Sequence, residues 1–163
     1  MVETVVEFLE NKLSPEMVVF VVSMVPVLEL RGGLIASAIL GIDWIVAFPL
    51  CVIGNMLPIP LELLFIRKIF ELLKKVKGIG TLIEKIDERA KRKGDEISKN
   101  KFVLWGVNAF VAVPLPGTGA WTGGLIADIL DIRMSKSLPI IAAGVITAGL
   151  IISFISYVIP MMF

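Results

Sequence analysis

The pentapeptide Gly-Gly-Leu-Ile-Ala occurs twice in the sequence, at residues 32–36 and 123–127. Both copies lie in apolar stretches that prolines and further glycines interrupt near the centre. Such breaks remove backbone hydrogen bonds, which a bilayer tolerates only where protein or a wet cavity surrounds the chain. Two breaks of the same kind indicate repeated halves with discontinuous helices, an arrangement that builds transport sites near the middle of a membrane.

Further landmarks recur in the same order. Pro49 and Gly54, in the long apolar stretch after the first pentapeptide, return ninety residues later as Pro139 and Gly144. The two Gly-Gly pairs are ninety-one residues apart. A single match between two apolar sequences is weak, but several matches in one order predict an internal duplication.

The composition is that of an integral membrane protein. Hydrophobic residues make up 56% of the 163 residues and the mean hydropathy is +0.89, above the apolar usage of soluble domains. Twelve of the sixteen Lys and Arg lie within residues 67–101, interleaved with acids, which argues against a nucleic-acid-binding surface. The absence of His and the single Cys51 exclude disulfides within the chain, Cys/His zinc sites and His-activated nucleophiles. We predict no metal, no cofactor and no enzymatic activity.

The chain is predicted to form one membrane domain, residues 1–163, with four parts. Residues 1–13 form an amphipathic surface helix, and residues 14–66 form the first repeat, which opens with a Ser-Pro helix start. Residues 67–101 form a basic, cytoplasmic, amphipathic helical linker, and residues 102–163 form the second repeat. The fold class is therefore all-α integral membrane, in the cell membrane with several passes.

Each repeat is predicted to combine a broken segment with one kinked transmembrane helix, over residues 44–66 and 138–163. Half of a broken segment, about eleven residues, reaches about 16 Å, the middle of the bilayer. A re-entrant helical hairpin fits this length, and the glycines of the breaks (32, 33, 117, 119, 123 and 124) supply small surfaces and free dihedrals for the reversals. The alternative is four plain spans.

If the broken segments are hairpins, one long span separates them and they enter from opposite faces, which makes the repeats inverted. The basic linker is then cytoplasmic by the positive-inside rule, and both termini lie outside. One small copy offers little protein to cover two buried hairpins, so we expect a homodimer within the membrane lipids.

Two motifs carry a family resemblance. Glu-x-Arg-Gly-Gly at 29–33, Pro-Leu-Pro-Gly-Thr-Gly-x-Trp-x-Gly-Gly at 114–124 and the chain length resemble the small multidrug export protein family. That family is similar to the DedA-like (VTT domain) membrane proteins, which share paired re-entrant loops and include candidate polyprenyl-phosphate flippases and lipid scramblases. The resemblance covers roughly residues 15–163. It implies a transporter that moves a lipid, such as a polyprenyl phosphate, or a small amphiphile.

The same resemblance maps site residues onto both breaks. Glu29 matches the acidic residue of the first loop and Arg31 the nearby basic one, while Pro116, Gly117 and Gly119 match the second loop. DedA proteins carry further arginines in the second half that suit a phosphate, whereas the second loop of this sequence is neutral.

Glu29 is the sharpest candidate, because an ionised carboxylate inside an apolar segment needs a partner. It is predicted either to couple protons or bind a cation, or to form a structural ion pair with Arg31. Residues i and i+2 of a helix point to different faces, so that pair requires a loop conformation or partners in the other half. Arg31 either holds an anionic headgroup or neutralises Glu29.

The other candidates for the substrate or proton site accompany the two breaks. They are Gly32, Gly33, Asn108, Pro116, Gly117, Thr118, Gly119, Trp121 and Asp128. Asn55 is a further candidate for lining the cavity, Trp121 is either a gate or a packing residue, and Glu62 is expected at the surface, paired with Arg67. The alternative to a transporter is a scaffold or assembly factor in which Glu29 and Arg31 only lock the fold.

Overall fold

The computed structural model describes residues 2–74, 100–115 and 117–155. Within these ranges every regular element is a helix and there is no strand, which confirms the all-helical prediction. The helices are α1 (Val2–Glu10), α2 (Pro15–Met24), α3 (Glu29–Ile39), α4 (Trp44–Met56), α5 (Pro58–Lys74), α6 (Lys101–Ala112), α7 (Ala120–Ile129) and α8 (Met134–Ser153). Apart from its two ends, the predicted linker helix lies outside the described residues.

Two stretches are long and apolar enough to cross a membrane, Trp44–Phe65 and Met134–Ser153. They correspond to the two predicted spans, and the second begins four residues earlier than predicted. The first is kinked between α4 and α5, where the chain turns at Leu57 and Pro58 supplies no amide hydrogen.

The four helices around the breaks are short. α2, α3, α6 and α7 contain ten, eleven, twelve and ten residues, or about 15–18 Å each. The start of α2 is as predicted, with the Ser14 hydroxyl accepting from the Met17 N–H at 3.4 Å and Pro15 in the first turn. The lengths fit half of a bilayer, as the hairpin prediction requires.

The first break is shorter than predicted. The carbonyl of Val25 accepts hydrogen bonds from the N–H groups of Leu28 and Glu29, at 3.0 and 2.8 Å, so the helix resumes after residues 25–28. Gly32 and Gly33 consequently lie inside α3 and do not form the reversal. They provide room instead, since a Cβ on Gly33 would meet the Ser23 side chain of α2.

The helices after both breaks end in the same way. Gly41 follows α3 with φ of 66° and Asp131 follows α7 with φ of 50°. The next residues, Ile42 and Ile132, donate their N–H groups to Ser37 and Ala127 at 2.9 and 2.8 Å, the pattern of a Schellman cap. The duplicated sequence therefore has duplicated backbone geometry at this point.

The repeated glycines of the two long helices allow equivalent close approaches between helix backbones. A Cβ on Gly54 of α4 would lie 2.6 Å from the Phe20 carbonyl oxygen of α2. A Cβ on Gly144 of α8 would lie 2.9 Å from the Asn108 carbonyl oxygen of α6. Small residues let helix backbones approach closely in membranes, so each long helix packs tightly on the first short helix of its own half.

Both halves share one apolar core. α2 packs against α3 and α4, α6 packs against α8, and α8 also contacts α3 and α4 of the first half. α7 packs against α5 and α8. The buried side chains come from all these elements, and examples are Val22, Leu34, Ile59, Val111 and Ile141. Glu29 and Gly119, which follow the two breaks, are buried and meet beside this shared core, where the candidate site lies.

Candidate functional site

Arg31, in the first turn of α3, binds the backbone of the second break. Its guanidinium donates to the carbonyl oxygens of Leu115 and Thr118. It also donates to the Thr118 hydroxyl at 3.2 Å and to the Val113 carbonyl at 3.4 Å. The planar fork of an arginine can reach several acceptors at once. Arg31 therefore ties α3 to three carbonyls of the loop between α6 and α7.

The Thr118 hydroxyl completes the same loop. Its oxygen lies 2.6 Å from the Val113 carbonyl and 2.8 Å from the Leu115 carbonyl, and it accepts from the Leu115 N–H at 3.2 Å. The turn closes with Gly117 at φ of 85°, a conformation that favours glycine. The second break is thus an ordered turn held by one threonine and by one arginine from the other half.

Glu29 binds the opposite side of this break. Its side chain is only 7% exposed, and its carboxylate accepts a hydrogen bond from the backbone N–H of Trp121 in the first turn of α7. The N-cap of α7 is Gly119, whose lack of a side chain leaves the helix without a cap of its own. Glu29 therefore serves as a cap supplied from α3, and its negative charge complements the N-terminal end of the helix dipole.

Two features of the backbone fit Glu29 to this position. A Cβ on Gly119 would overlap the Glu29 carboxylate, so the close approach requires glycine at 119. Glu29 itself has φ of 51°, in the left-handed region that is strained for a glutamate. The structure holds this residue in an unfavourable conformation while directing its charge to the second half.

A small cavity lies where these contacts meet. It has a volume of about 10 Å³, close to that of one water molecule, and Glu29, Asn55, Gly119 and Val145 are among the residues lining it. Asn55 is 2% exposed, and its Oδ1 has no hydrogen-bond partner within the described part of the chain. The cavity is therefore polar on the side of α3 and α4 and apolar on the side of α8.

A second, larger cavity runs along α5 and α7. It is an open groove of about 590 Å³ whose walls include Leu61, Glu62 and Phe65 of α5 and the Trp121 side chain of α7. Glu62 is 9% exposed and packs on Gly124, where a Cβ would lie 3.0 Å from the Glu62 carboxylate. Over the residues that the structure describes, no cluster of three potential metal ligands occurs.

Comparison with protein families identifies the chain. Residues 29–151 match the family described as "Putative small multi-drug export protein". The chain belongs to this family. The match begins at Glu29, directly after the first break, and includes the second break, the whole first long apolar stretch and most of the second. Searches of curated proteins and of solved structures gave no match.

Family membership confirms the first part of the sequence resemblance and indicates a membrane transporter. Two of its helical stretches are long and apolar enough to cross a membrane.

The structure brings some of the predicted site residues of this small multi-drug export protein together. Glu29, Arg31, Thr118 and Gly119 form the link between the breaks. Trp121 contacts the link through its backbone, while its side chain lines the groove. Glu29 and Arg31 attract each other electrostatically, and each also has a partner in the other half.

Other predicted site residues lie elsewhere. Asn108 donates to the Ile140 carbonyl at 3.0 Å, which links α6 to α8. Asp128 is half-buried and acts electrostatically on Glu62. Pro116 lies outside the described residues.

The sequence analysis underestimated the burial of Glu62. The sequence placed it at the surface beside the basic segment, whereas the structure buries it against α7. One signal for this exists in the sequence, because Asn55, Pro58 and Glu62 follow each other at helical spacing and so share one face. Asn55 lines the small cavity, as predicted, so the same face leads from that cavity to the groove.

Proposed function

We propose that this chain is a transporter of a small amphiphile in which the two broken segments form the barrier at the centre of the membrane. The observation that carries the proposal is the link between the breaks, in which Glu29 and Arg31 of α3 hold the loop and the first turn of α7. A barrier made of two discontinuous segments can open when one half moves relative to the other. The charged link then determines how firmly the barrier is closed.

The proposed topology has two inverted repeats, each a re-entrant hairpin followed by one long helix. The lengths of the four short helices, about half of a bilayer each, support it. The basic centre of the sequence supports a cytoplasmic location for residues 67–101 by the positive-inside rule. A homodimer belongs to the same proposal, because a single copy has many exposed apolar side chains on its described helices.

Protons are the proposed coupling ions, with Glu29 as the residue that carries them. Its carboxylate accepts from the Trp121 N–H and attracts Arg31, so a proton on Glu29 weakens both interactions. Hydrogen bonds to a charged acceptor are roughly twice as strong as neutral ones. Protonation would therefore loosen the contact between the breaks, which ties the opening of the barrier to a proton gradient.

The substrate proposal favours a small amphiphile over a phosphate-headed lipid of the DedA-like type. Arg31 is the basic residue closest to the small cavity, and the carbonyls of residues 113–118 already occupy its donors. Glu29 supplies a carboxylate to that cavity, which repels a phosphate, and Asn55 supplies a single neutral amide. An anionic lipid would need a different set of donors.

The deciding experiment is a transport assay in proteoliposomes with and without a pH gradient, using fluorescent lipophilic dyes and labelled lipids as cargo. We expect the wild-type protein to move a dye faster when a gradient is imposed. Glu29→Gln should fold and lose the gradient dependence, whereas Glu16→Gln, the same change on the exposed face of α2, should keep it. Equal gradient dependence in a folded Glu29→Gln variant would refute proton coupling at this residue.

Topology has a separate test. Cysteine labelling at both termini of a Cys51→Ser background should find them outside the cell if the breaks are re-entrant. Labelling of both termini from the cytoplasmic side would instead support four plain spans and remove the inverted symmetry.

The second candidate function is a membrane scaffold without transport. The observation that favours it is that Arg31 and Glu29 both have internal partners, as a purely structural lock would have. An absence of any cargo movement by folded, reconstituted protein would favour the scaffold over the transporter.

A further inference from the structure

We infer that the groove between α5 and α7 binds a lipophilic monovalent cation, with the Glu62 carboxylate as its counter-charge and Trp121 and Phe65 as its aromatic walls. The inference rests on the proposed transport function and gives the chemical class of the substrate. It concerns a different place from the link between the breaks, since Glu62 belongs to α5 and lines the larger cavity.

The groove has the dimensions of a ligand site. Its volume of about 590 Å³ lies within the 300–1,000 Å³ of typical small-molecule pockets. Its walls are mainly apolar, with Leu61 and Phe65 on α5 exposed by 64% and 65%. Aliphatic and aromatic surfaces of this kind suit a hydrophobic ligand body.

The charge of the ligand follows from Glu62. This side chain is more than nine-tenths buried, and its Oε2 has no hydrogen-bond partner among the residues described. A buried carboxylate without partners is costly, and a cation is the ligand that removes this cost. Gly124 of α7 backs the carboxylate, so the open side available to a ligand is the groove.

The surrounding charges favour a cation as well. Glu29 of α3 and Asp128 of α7 both act on Glu62 with negative charge. Among the described residues that line the groove, the positive one is Lys68, which is exposed and lies about 9 Å from Glu62 along the axis of α5. The carboxylate of Glu62 is therefore the charge at the inner part of the groove, and it would repel an anionic headgroup there.

The aromatic residues complete the site. Trp121 contributes the side chain that faces the groove from α7, and its Nε1 has no hydrogen-bond partner in the described ranges. Tryptophan is the best partner for a cation placed over an aromatic face. A delocalised organic cation can therefore place its charge between Glu62 and an aromatic ring, with its apolar body against α5.

The test measures binding of tetraphenylphosphonium, a rigid lipophilic cation, to the full-length protein in detergent by equilibrium dialysis. Tetraphenylborate, of similar size and opposite charge, is the matched control ligand. We expect saturable binding of the cation at least tenfold tighter than of the anion. Binding of both ions with equal affinity would overturn the inference, because it would show partitioning that ignores charge.

Variants locate the site. Glu62→Gln should weaken cation binding at least tenfold, and Trp121→Leu should weaken it severalfold, while the exposed Glu16→Gln should leave it unchanged. A folded, monodisperse Glu62→Gln protein with wild-type affinity would refute the assignment.

A second measurement needs no variant and therefore does not depend on variant folding. A hydrophobic carbodiimide should label Glu62, as read by peptide mass spectrometry, and tetraphenylphosphonium should protect it while tetraphenylborate should not. Labelling that the cation does not reduce would contradict the site. If the protein moves a neutral dye but does not bind the cation, the cation site in the groove is refuted and the transport function is not. If the protein binds the cation but transports no cargo, the proposed transport function is refuted and the cation site is not.

Discussion

Replacement of Gly119 by alanine should separate the two halves of the candidate site. The added Cβ would overlap the Glu29 carboxylate, and Gly119 has extended backbone angles that alanine also adopts, so the effect is steric. Forcing an extra carbon into a packed interior costs about 1–3 kcal/mol. Moving Glu29 away adds the loss of its charged hydrogen bond with the Trp121 N–H, about 1.5–3 kcal/mol. We therefore expect Gly119→Ala to destabilise the protein by about 2.5–6 kcal/mol.

Thermal unfolding in detergent, followed by tryptophan fluorescence, measures this effect. For a chain of this size, 1 kcal/mol corresponds to about 2–4 °C in the midpoint, so a decrease of roughly 5–24 °C is expected. The matched control is Gly106→Ala in α6, where a Cβ would meet nothing within 4 Å. A glycine inside a helix is about 1 kcal/mol less favourable than alanine, so the control should raise the midpoint slightly.

A double-mutant cycle with Glu29→Ala tests whether overlap with the Glu29 carboxylate causes the loss of stability. Without the carboxylate the new Cβ has space, so Gly119→Ala should cost less than about 1 kcal/mol in that background, with a coupling energy of about 1–3 kcal/mol. The same cost in both backgrounds would mean that Gly119 and Glu29 act independently. Glycine at position 119 would then not be required for the contact between the two breaks.

Three further predictions concern the same framework. Arg31→Lys keeps the charge but loses the planar guanidinium, so it should lower stability by about 1–3 kcal/mol. An unchanged unfolding midpoint would contradict the contacts of Arg31 with the loop carbonyls. Asp131→Gly should raise stability by up to about 1 kcal/mol, because Asp131 has φ of 50°, a conformation that glycine adopts without strain. Gly41→Asp at the equivalent helix cap should lower stability. Equal shifts of the unfolding midpoint in the two variants would contradict the shared cap. Gly33→Ala should destabilise the protein by about 1–3 kcal/mol because its Cβ would overlap the Ser23 hydroxyl. Ser23→Ala should partly rescue it, and no rescue would show that this hydroxyl is not the obstacle.

Local signals in the sequence predicted the helices well. The Ser-Pro start of α2, the apolar lengths of the two spans and the recurrence of Gly54 as Gly144 all depend on residues close to one another in the chain or on a fixed offset. The structure agrees with each of them. These features follow from short-range physics, so a single sequence is enough to find them.

The candidate site depends on contacts between distant parts of the chain, which reasoning from neighbouring residues cannot assign. Arg31 bonds to carbonyls 82 to 87 residues away in the chain, and the spacing of Glu29 and Arg31 showed only that a direct helical pair was unfavourable. Glu62 is buried because α7 packs on α5 at Gly124, a pairing that no nearby residue encodes. The extent of the first break was also misjudged, since glycines that permit a turn equally permit close helix packing.

The duplication explains why the chemistry lies between the halves. At the offset of ninety residues, Glu62 corresponds to Ile152 and Asn55 to Val145, and all four side chains are buried. Asn55 and Val145 face the same small cavity from opposite halves. The repeat thus builds two similar backbones, and only the first carries polar side chains at these positions. Because Glu29 and Glu62 of the first half both rest on α7 of the second, any movement between the halves changes the surroundings of both carboxylates together.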